Sequence, residues 1–208
     1  MSLLARAVLN NALWCDAVCG HRGRFEPTLW LGPDVVPPYY PHAITLTADT
    51  AEQAETLGRV LGPGPRAVKD SFAAHDLRGL GLKPLFEAEW LGRPSLPPPP
   101  AGQWRRLSDP DPNIARLEIR RGAELLGQGI LNFGAEVVGL SNVEAAALLG
   151  AEQAVRATLV AAAAQLWPGA PVVGYEPLAM GPPGAPSPRE LMRSLGFEAL
   201  GPLKVLTR

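Results

Sequence analysis

The chain has 208 residues, 47% of them hydrophobic and 19% charged, with a formal net charge of −1. This balance predicts a folded globular protein with a sizeable core and excludes a disordered chain. There is no basic block, no apolar run longer than residues 157–166 and no signal-peptide pattern in residues 1–13. Nucleic-acid and membrane partners are therefore not favoured, and we expect a soluble cytoplasmic protein.

The first half of the sequence predicts one helix followed by alternating strands and helices. Residues 2–19 form an amphipathic helical pattern that ends at Gly20, and residues 20–42 have no regular pattern, with the proline-rich segment 37–41 extended. Alternation, capping residues and Gly/Pro stops then predict strands at 43–47, 66–72 and 82–91, a helix at 50–61 and a short helix or turn at 73–79.

Two cysteines lie four residues apart in the first predicted helix, so their thiols share one face. Cys15 and Cys19 continue an apolar stripe that includes Leu4 and Val8, which favours core packing. With His21 they could form a metal site, but a structural zinc needs four ligands with loop-type spacing. We therefore predict buried free thiols and no metal.

A proline-rich segment divides the chain. Residues 94–103 include Pro97 to Pro100, which is typical of a stiff polyproline spacer, and predict a boundary between an N-terminal unit, 1–93, and a C-terminal unit, 104–208. The predicted elements of the second unit are strands at 114–120, 125–133, 136–143 and 171–176, a helix at 151–167, a loop at 177–188, a helix at 188–194 and a final strand.

The end of the chain carries the most distinctive motif. Residues 191–208 read LMRSLGFEALGPLKVLTR, a helix end followed by a Leu-Gly-Phe turn and a closing strand. Segment 78–91 repeats this order more weakly, with Arg78 aligned on Arg193, Leu80 on Leu195 and Gly81 on Gly196. The sequence therefore indicates two similar halves.

This motif and the element order over 104–208 resemble the GNAT (N-acetyltransferase) superfamily. Further phrases resemble a little-characterised bacterial GNAT-like group with a degenerate half-domain; they lie at 10–12, 14–19, 37–41, 68–72, 138–143 and 173–176. The resemblance implies an α/β (α+β) fold in which a mixed central sheet is flanked by helices. It also implies two pseudo-repeated lobes, the first of which, 43–93, is a degenerate repeat of the second.

The resemblance implies a site as well. GNAT enzymes bind the pantetheine arm of acetyl-CoA along a splayed strand and its diphosphate at the start of the next helix. A carboxylate accepts the amine proton, and a Tyr often protonates the thiolate. In this sequence the implied cofactor-binding residues are Gly139, Leu140, Ser141, Asn142 and Arg156, and the implied catalytic residues are Glu176 as base and Tyr175.

Two features of the family are absent from the sequence. The phosphate-loop pattern of Arg or Gln, two residues, Gly, one residue, then Gly or Ala does not occur at 141–152, where Glu144 and Glu152 add negative charge. Met192 stands where family members often have Tyr. Two functions therefore stay open. One is acyl transfer to a small-molecule amine, a protein N-terminus or a lysine; the other is a non-catalytic GNAT-fold protein that binds a small ligand or a protein partner.

Each candidate residue also has a simpler interpretation. Ser141 and Asn142 could cap the next helix or turn, and Glu176 could be a partly exposed strand-end carboxylate. In the first half, Lys69 and Asp70 should point to opposite faces, and His75 with Asp76 is predicted to lie in a solvated loop. The proline spacer would permit a swapped homodimer, which light scattering would test.

Overall fold

The computed structural model describes residues 1–64, 66–95, 97–100, 102–178 and 186–208. These ranges contain four α-helices: α1 (Leu3–Val18), α2 (Thr50–Val60), α3 (Ala151–Leu166) and α4 (Pro188–Ser194). None of them is long and apolar enough to cross a bilayer. Of the predicted loop at 177–188, residues 179–185 lie outside the described ranges.

The described ranges also contain eleven strands. They are β1 (Arg24–Phe25), β2 (Leu29–Leu31), β3 (Ala43–Thr45), β4 (Ala67–Asp70), β5 (Lys83–Arg93), β6 (Gln103–Leu107), β7 (Ile114–Arg121), β8 (Glu124–Gly134), β9 (Val137–Ala145), β10 (Val172–Pro177) and β11 (Glu198–Thr207). All of them join one mixed sheet in the order β1-β2-β3-β4-β11-β5-β10-β9-β8-β7-β6. The mixed sheet flanked by helices confirms the predicted fold class.

The helices cover both faces of this sheet. Val137 packs with α1, whereas its neighbour Val138 packs with α3, so these two helices lie on opposite faces. Likewise Val68 packs with α2, whereas the next residue, Lys69, contacts α1. Helix α1 therefore covers one face, and α2 and α3 cover the other.

Strands β5 and β11 are exchanged in the strand order. Strand β11 lies between β4 and β5, and β5 lies between β11 and β10. Their antiparallel register is symmetric, because Lys83 lies opposite Thr207 and Gly92 lies opposite Glu198. Strand β5 therefore pairs with β10 from the later part of the chain, and β11 pairs with β4 from the earlier part.

The turns before these two strands match. Gly81 and Gly196 adopt left-handed conformations, with φ of 74° and 86°, which glycine reaches without strain. The backbone N–H of Leu82 donates to Leu77 O at 3.3 Å, and that of Phe197 donates to Met192 O at 3.2 Å. The same helix-ending turn at both places supports the interpretation of two pseudo-repeated lobes.

The structure corrects the prediction in two regions. Residues 20–42 contain β1 and β2, and the three residues of β2 are all buried, so no alternation marks that strand in the sequence. Strand β6 was also missed, because it is a short, mostly exposed edge strand directly after the prolines. The buried thiols are confirmed: Cys15 and Cys19 are free and buried, and burial raises the pKa of Cys15 to about 11.

A buried polar network joins α2 to the segments that follow β3 and β4. The Gln53 amide nitrogen donates to the carbonyls of Thr28 and Thr47 at 2.9 and 3.0 Å, and its oxygen lies 2.5 Å from His75 Nε2. The predicted solvated loop is therefore wrong for His75, which is 4% exposed, although Asp76 is exposed.

This network predicts a loss of stability in acid. Burial lowers the pKa of His75, and Lys204 acts in the same direction, while Asp70 and Asp49 oppose them. Because the folded-state pKa is below the unfolded one, the stabilisation is present above the unfolded value of about 6.5 and is lost as the pH falls below it. Thermal unfolding from about pH 8 to about pH 5 should show a smaller decline for His75→Gln than for the parent protein, and a decline equal to that of the parent would contradict this account.

Candidate active site

The sheet opens between β9 and β10. These parallel strands, both fully described, pair only at Val138 with Val172 and at Gly139 with Val173. Beyond Gly139 both strands continue without pairing to each other. On the side of β8 the register of β9 shifts between Ser141 and Glu144, and Asn142 takes a left-handed φ of 50°. The bulge at Asn142 thus bends β9 a few residues beyond the start of the gap.

A cavity of about 550 Å³ occupies this opening. Six of the seven residues that the sequence implied as a site line it: Leu140, Ser141, Asn142, Arg156, Tyr175 and Glu176. Further lining comes from α1, the 38–41 loop and Lys69 of β4. Gly139 lies beside the cavity under α1, where an added Cβ would meet Asn10 Oδ1 at 2.1 Å.

An ion-paired carboxylate lies on the α3 side of the cavity. The Arg156 side chain, 5% exposed, donates from Nη1 to Glu176 Oε1, and from Nε and Nη2 to Glu152 Oε1 at 3.2 and 3.1 Å. Burial raises the pKa of Glu176 above its ordinary value, although Arg156 opposes this. The Arg156 contact uses Oε1, so Oε2 can accept a proton from another group.

A tyrosine and a lysine lie on the α1 side. Tyr175 precedes Glu176 on the strand and therefore faces the other way. Lys69 Nζ donates to Asn11 Oδ1 at 2.7 Å and to the Tyr175 hydroxyl at 3.2 Å. The Tyr175 ring meets Trp90 edge to face, with centroids 5.3 Å apart. The cavity therefore reaches both faces of the sheet through the opening.

The capping interpretation of Ser141 and Asn142 is wrong. Both lie within β9, and α3 begins after Gly150 without a side-chain cap. The backbone bulge explains this difference, because it keeps the chain in the strand beyond the polar pair. The Asn142 amide nitrogen lies 3.5 Å from the Tyr40 hydroxyl and joins the bulge to the proline-rich loop.

Asn10 and Asn11 were not predicted as site residues. Asn10 Nδ2 donates to the carbonyls of Asn132, Gly134 and Val137 at 3.0 to 3.3 Å and so fixes α1 against β8 and β9. Asn11 then holds Lys69. Two consecutive asparagines inside an apolar helix are the sequence signal for this pair, because asparagine is unfavourable in a helix interior unless its amide has a partner.

Met192 and Asp70 do not line the cavity. Met192, at the position where a tyrosine was expected, is 1% exposed and packs in the core with Phe197. The predicted opposite orientation of Lys69 and Asp70 is confirmed, because Asp70 Oδ2 accepts the His75 backbone N–H at 2.8 Å.

Among the described residues no group of three or more His, Cys, Asp or Glu side chains is arranged to hold a metal ion.

No protein-family model matches the chain, and a search of curated proteins finds no match. Solved structures do match. A GCN5-related N-acetyltransferase from Kribbella flavida superposes with a TM-score of 0.63 at 14% identity, over 100% of this chain and 96% of that one. One from Sphaerobacter thermophilus gives 0.52 at 10%, over 100% and 93%. A functionally unknown conserved protein from Staphylococcus epidermidis gives 0.60 at 9%, over 89% and 92%.

These matches include both halves of the chain, because they extend over nearly the full length of each structure. At such low identity they establish architecture rather than chemistry. Together with the splayed parallel pair, the long helix after β9 and the Leu-Gly-Phe turn, they show that this chain has the fold of the GNAT N-acetyltransferases.

Proposed function

We propose that the protein is an N-acyltransferase that moves an acyl group from an acyl-CoA to an amine. One observation carries the proposal: the opening between β9 and β10 brings the Glu176 carboxylate and the Tyr175 hydroxyl into one cavity beside a splayed strand edge. The volume of about 550 Å³ is that of a small-molecule site.

The residues present fit the pantetheine arm. Beyond Gly139 the edge of β9 that faces β10 has no strand partner, so the backbone groups of 140–143 can pair with the arm amides. At the other end, α3 starts with Gly150 at φ 74° and has no side-chain cap, which leaves N–H groups for a phosphate. Glu152 would repel a phosphate there, but its ion pair with Arg156 moderates the charge.

Glu176 is the proposed base. A bound acyl-CoA supplies a thioester whose carbonyl carbon bonds to the amine nitrogen as the C–S bond breaks. Glu176 Oε2 accepts the proton that the nitrogen loses, directly or through one water. Its raised pKa brings the carboxylate closer to the basicity that a base needs near neutral pH.

Tyr175 is the proposed acid. Lys69 donates to its hydroxyl oxygen, so the O–H of Tyr175 remains free to donate to the departing sulfur. The Lys69 ammonium also stabilises the negative charge that the phenol oxygen acquires after this donation. Base and acid thus lie on opposite faces of the sheet and meet in the opening.

The proposal is tested by incubating the protein with acetyl-CoA and a panel of primary amines, with thiol release and N-acetyl product followed together. We expect amine-dependent release of one thiol per amide formed. Thiol release that does not depend on an amine, or no product with any amine, would contradict the proposal and would favour a ligand-binding protein.

A further inference from the structure

Lys69 is a buried cation on the wall of the cavity. It is 4% exposed, and its two hydrogen-bond partners are an amide oxygen of Asn11 and the hydroxyl of Tyr175 rather than carboxylates. Among the described residues no carboxylate oxygen lies within the 4.0 Å of an ion pair with Lys69. The two hydrogen bonds and the Tyr175 ring, whose centroid lies 4.3 Å from Nζ, offset part of the cost of burying this ammonium, but no anion in the described part of the chain balances its charge.

The other buried cation of the cavity differs in this respect. Arg156 contacts both Glu152 and Glu176, so its charge is balanced within the protein. Glu176 is thereby committed to the α3 side. The α1 side of the cavity therefore has surplus positive charge from Lys69.

Donors remain available around that charge. An ammonium has three N–H groups, and the contacts to Asn11 and Tyr175 use two of them. Asn11 accepts through its oxygen, so its amide nitrogen can still donate. Lys69 and Asn11 both line the cavity, and both can donate to a carboxylate that enters it.

We propose that Lys69 binds a carboxylate of the acceptor, so that the acceptor is an amine that also carries a carboxylate. This inference rests on the proposed acyltransferase function. The amine lies near Glu176 in the opening, and the carboxylate lies on the α1 face next to Tyr175. An acceptor that spans the opening in this way has its nitrogen held against the thioester.

An apolar group on the acceptor also has a place. A second cavity of about 390 Å³ continues from the first and shares Lys69, Tyr40 and Tyr175 with it. Its wall there includes Phe86, Leu85 and Val205. An aromatic or branched side chain next to the carboxylate fits this apolar wall.

Matched amines with and without a carboxylate test the inference. We expect L-phenylalanine to be acetylated with a kcat/KM roughly 100-fold above that of 2-phenylethylamine, because only the former pairs with Lys69. The pair 6-aminohexanoate and hexylamine shows whether a more distant carboxylate is also accepted. Lys69→Met should lower kcat for every amine, because Tyr175 loses the neighbouring ammonium. In addition, the preference for an amine with a carboxylate should vanish through a higher KM for the amino acid. Lys83→Met, which removes an exposed lysine of β5, should retain the preference for the amine that carries a carboxylate.

The outcomes separate this inference from the proposed function. Equal rates for amines with and without a carboxylate would overturn the carboxylate site and leave the acyltransferase intact. If no amine is acetylated, thermal shift decides. Stabilisation of the parent protein by L-phenylalanine that Lys69→Met abolishes would support the site although the acyltransferase fails. Neither reaction nor stabilisation with either amino carboxylate would overturn the site.

Discussion

Replacing Glu176 by glutamine is expected to lower kcat for acyl transfer by a factor of about 100 to 10,000. Glutamine keeps the shape and an oxygen for Arg156, but it cannot accept the amine proton. The KM for acetyl-CoA should change little, because Glu176 does not belong to the strand edge that faces the pantetheine arm. Steady-state kinetics of the purified variant, checked by circular dichroism for folding, measures this effect.

Glu152→Gln is the matched control for this variant. It removes a carboxylate from the same arginine, but Glu152 is 41% exposed at its side chain and does not line the cavity. Its kcat should stay within a few-fold of the parent value. If Glu152→Gln impaired catalysis as much as Glu176→Gln, the ion pair and not the base would explain the loss.

The pH dependence of the same reaction has a definite sign. Glu176 must be deprotonated to act as base, and burial raises its pKa above the ordinary value for a glutamate. Activity should therefore fall as the pH drops through this raised pKa, earlier in acid than an exposed carboxylate would allow. In Glu176→Gln the acid limb of kcat/KM should lose this ionisation and keep only the one that the amine substrate itself contributes.

Replacing Gly139 by alanine is expected to destabilise the fold by about 3 to 5 kcal/mol, which corresponds to a fall in Tm of about 10 °C. The new methyl group would lie 2.1 Å from Asn10 Oδ1 and 2.5 Å from Asn132 Oδ1. Helix α1 would have to move away from the sheet, and the buried hydrogen bonds of Asn10 to the carbonyls of β8 and β9 would lengthen or break.

Urea unfolding with a control variant and a double mutant tests this prediction. Gly79→Ala adds a methyl group where no heavy atom lies within 4 Å, so its stability should match the parent within about 0.5 kcal/mol. Asn10→Ala should also destabilise, and together with Gly139→Ala the two losses should be less than additive. A Gly139→Ala protein as stable as the parent would contradict the close contact between α1 and β9.

Local sequence patterns predicted most helices and strands because these depend on periodicity and end signals. Helix α2 and helix α4 begin and end within a residue of the expected positions. A capping box of Ser187 and Glu190 marks the start of α4, whereas α2 has no side-chain cap and is marked by Gly62 and Pro63 after its end. The exchange of β5 and β11 could not be predicted in this way. Both strands have the same local pattern whichever neighbour they pair with, and strand order is set by contacts distant in sequence.

The candidate site, too, was predicted only where its residues depend on local sequence patterns. Tyr175 and Glu176 were implied by the family resemblance, which depends on the local order of the elements around them. Lys69 did not join them, because its contact with Tyr175 joins residues 106 positions apart. The bulge at Asn142 was missed because no glycine marks its left-handed conformation, so the polar pair resembled a helix cap.

Calorimetric titration with acetyl-CoA tests the central claim most directly, since the opening between β9 and β10 is proposed to bind the acyl-CoA arm. We predict saturable binding to one site per chain in the micromolar range, with free pantetheine competing and adenosine giving no heat, because the arm rather than the diphosphate has the better-formed site. No heat and no thermal stabilisation at millimolar acetyl-CoA would contradict the acyltransferase account.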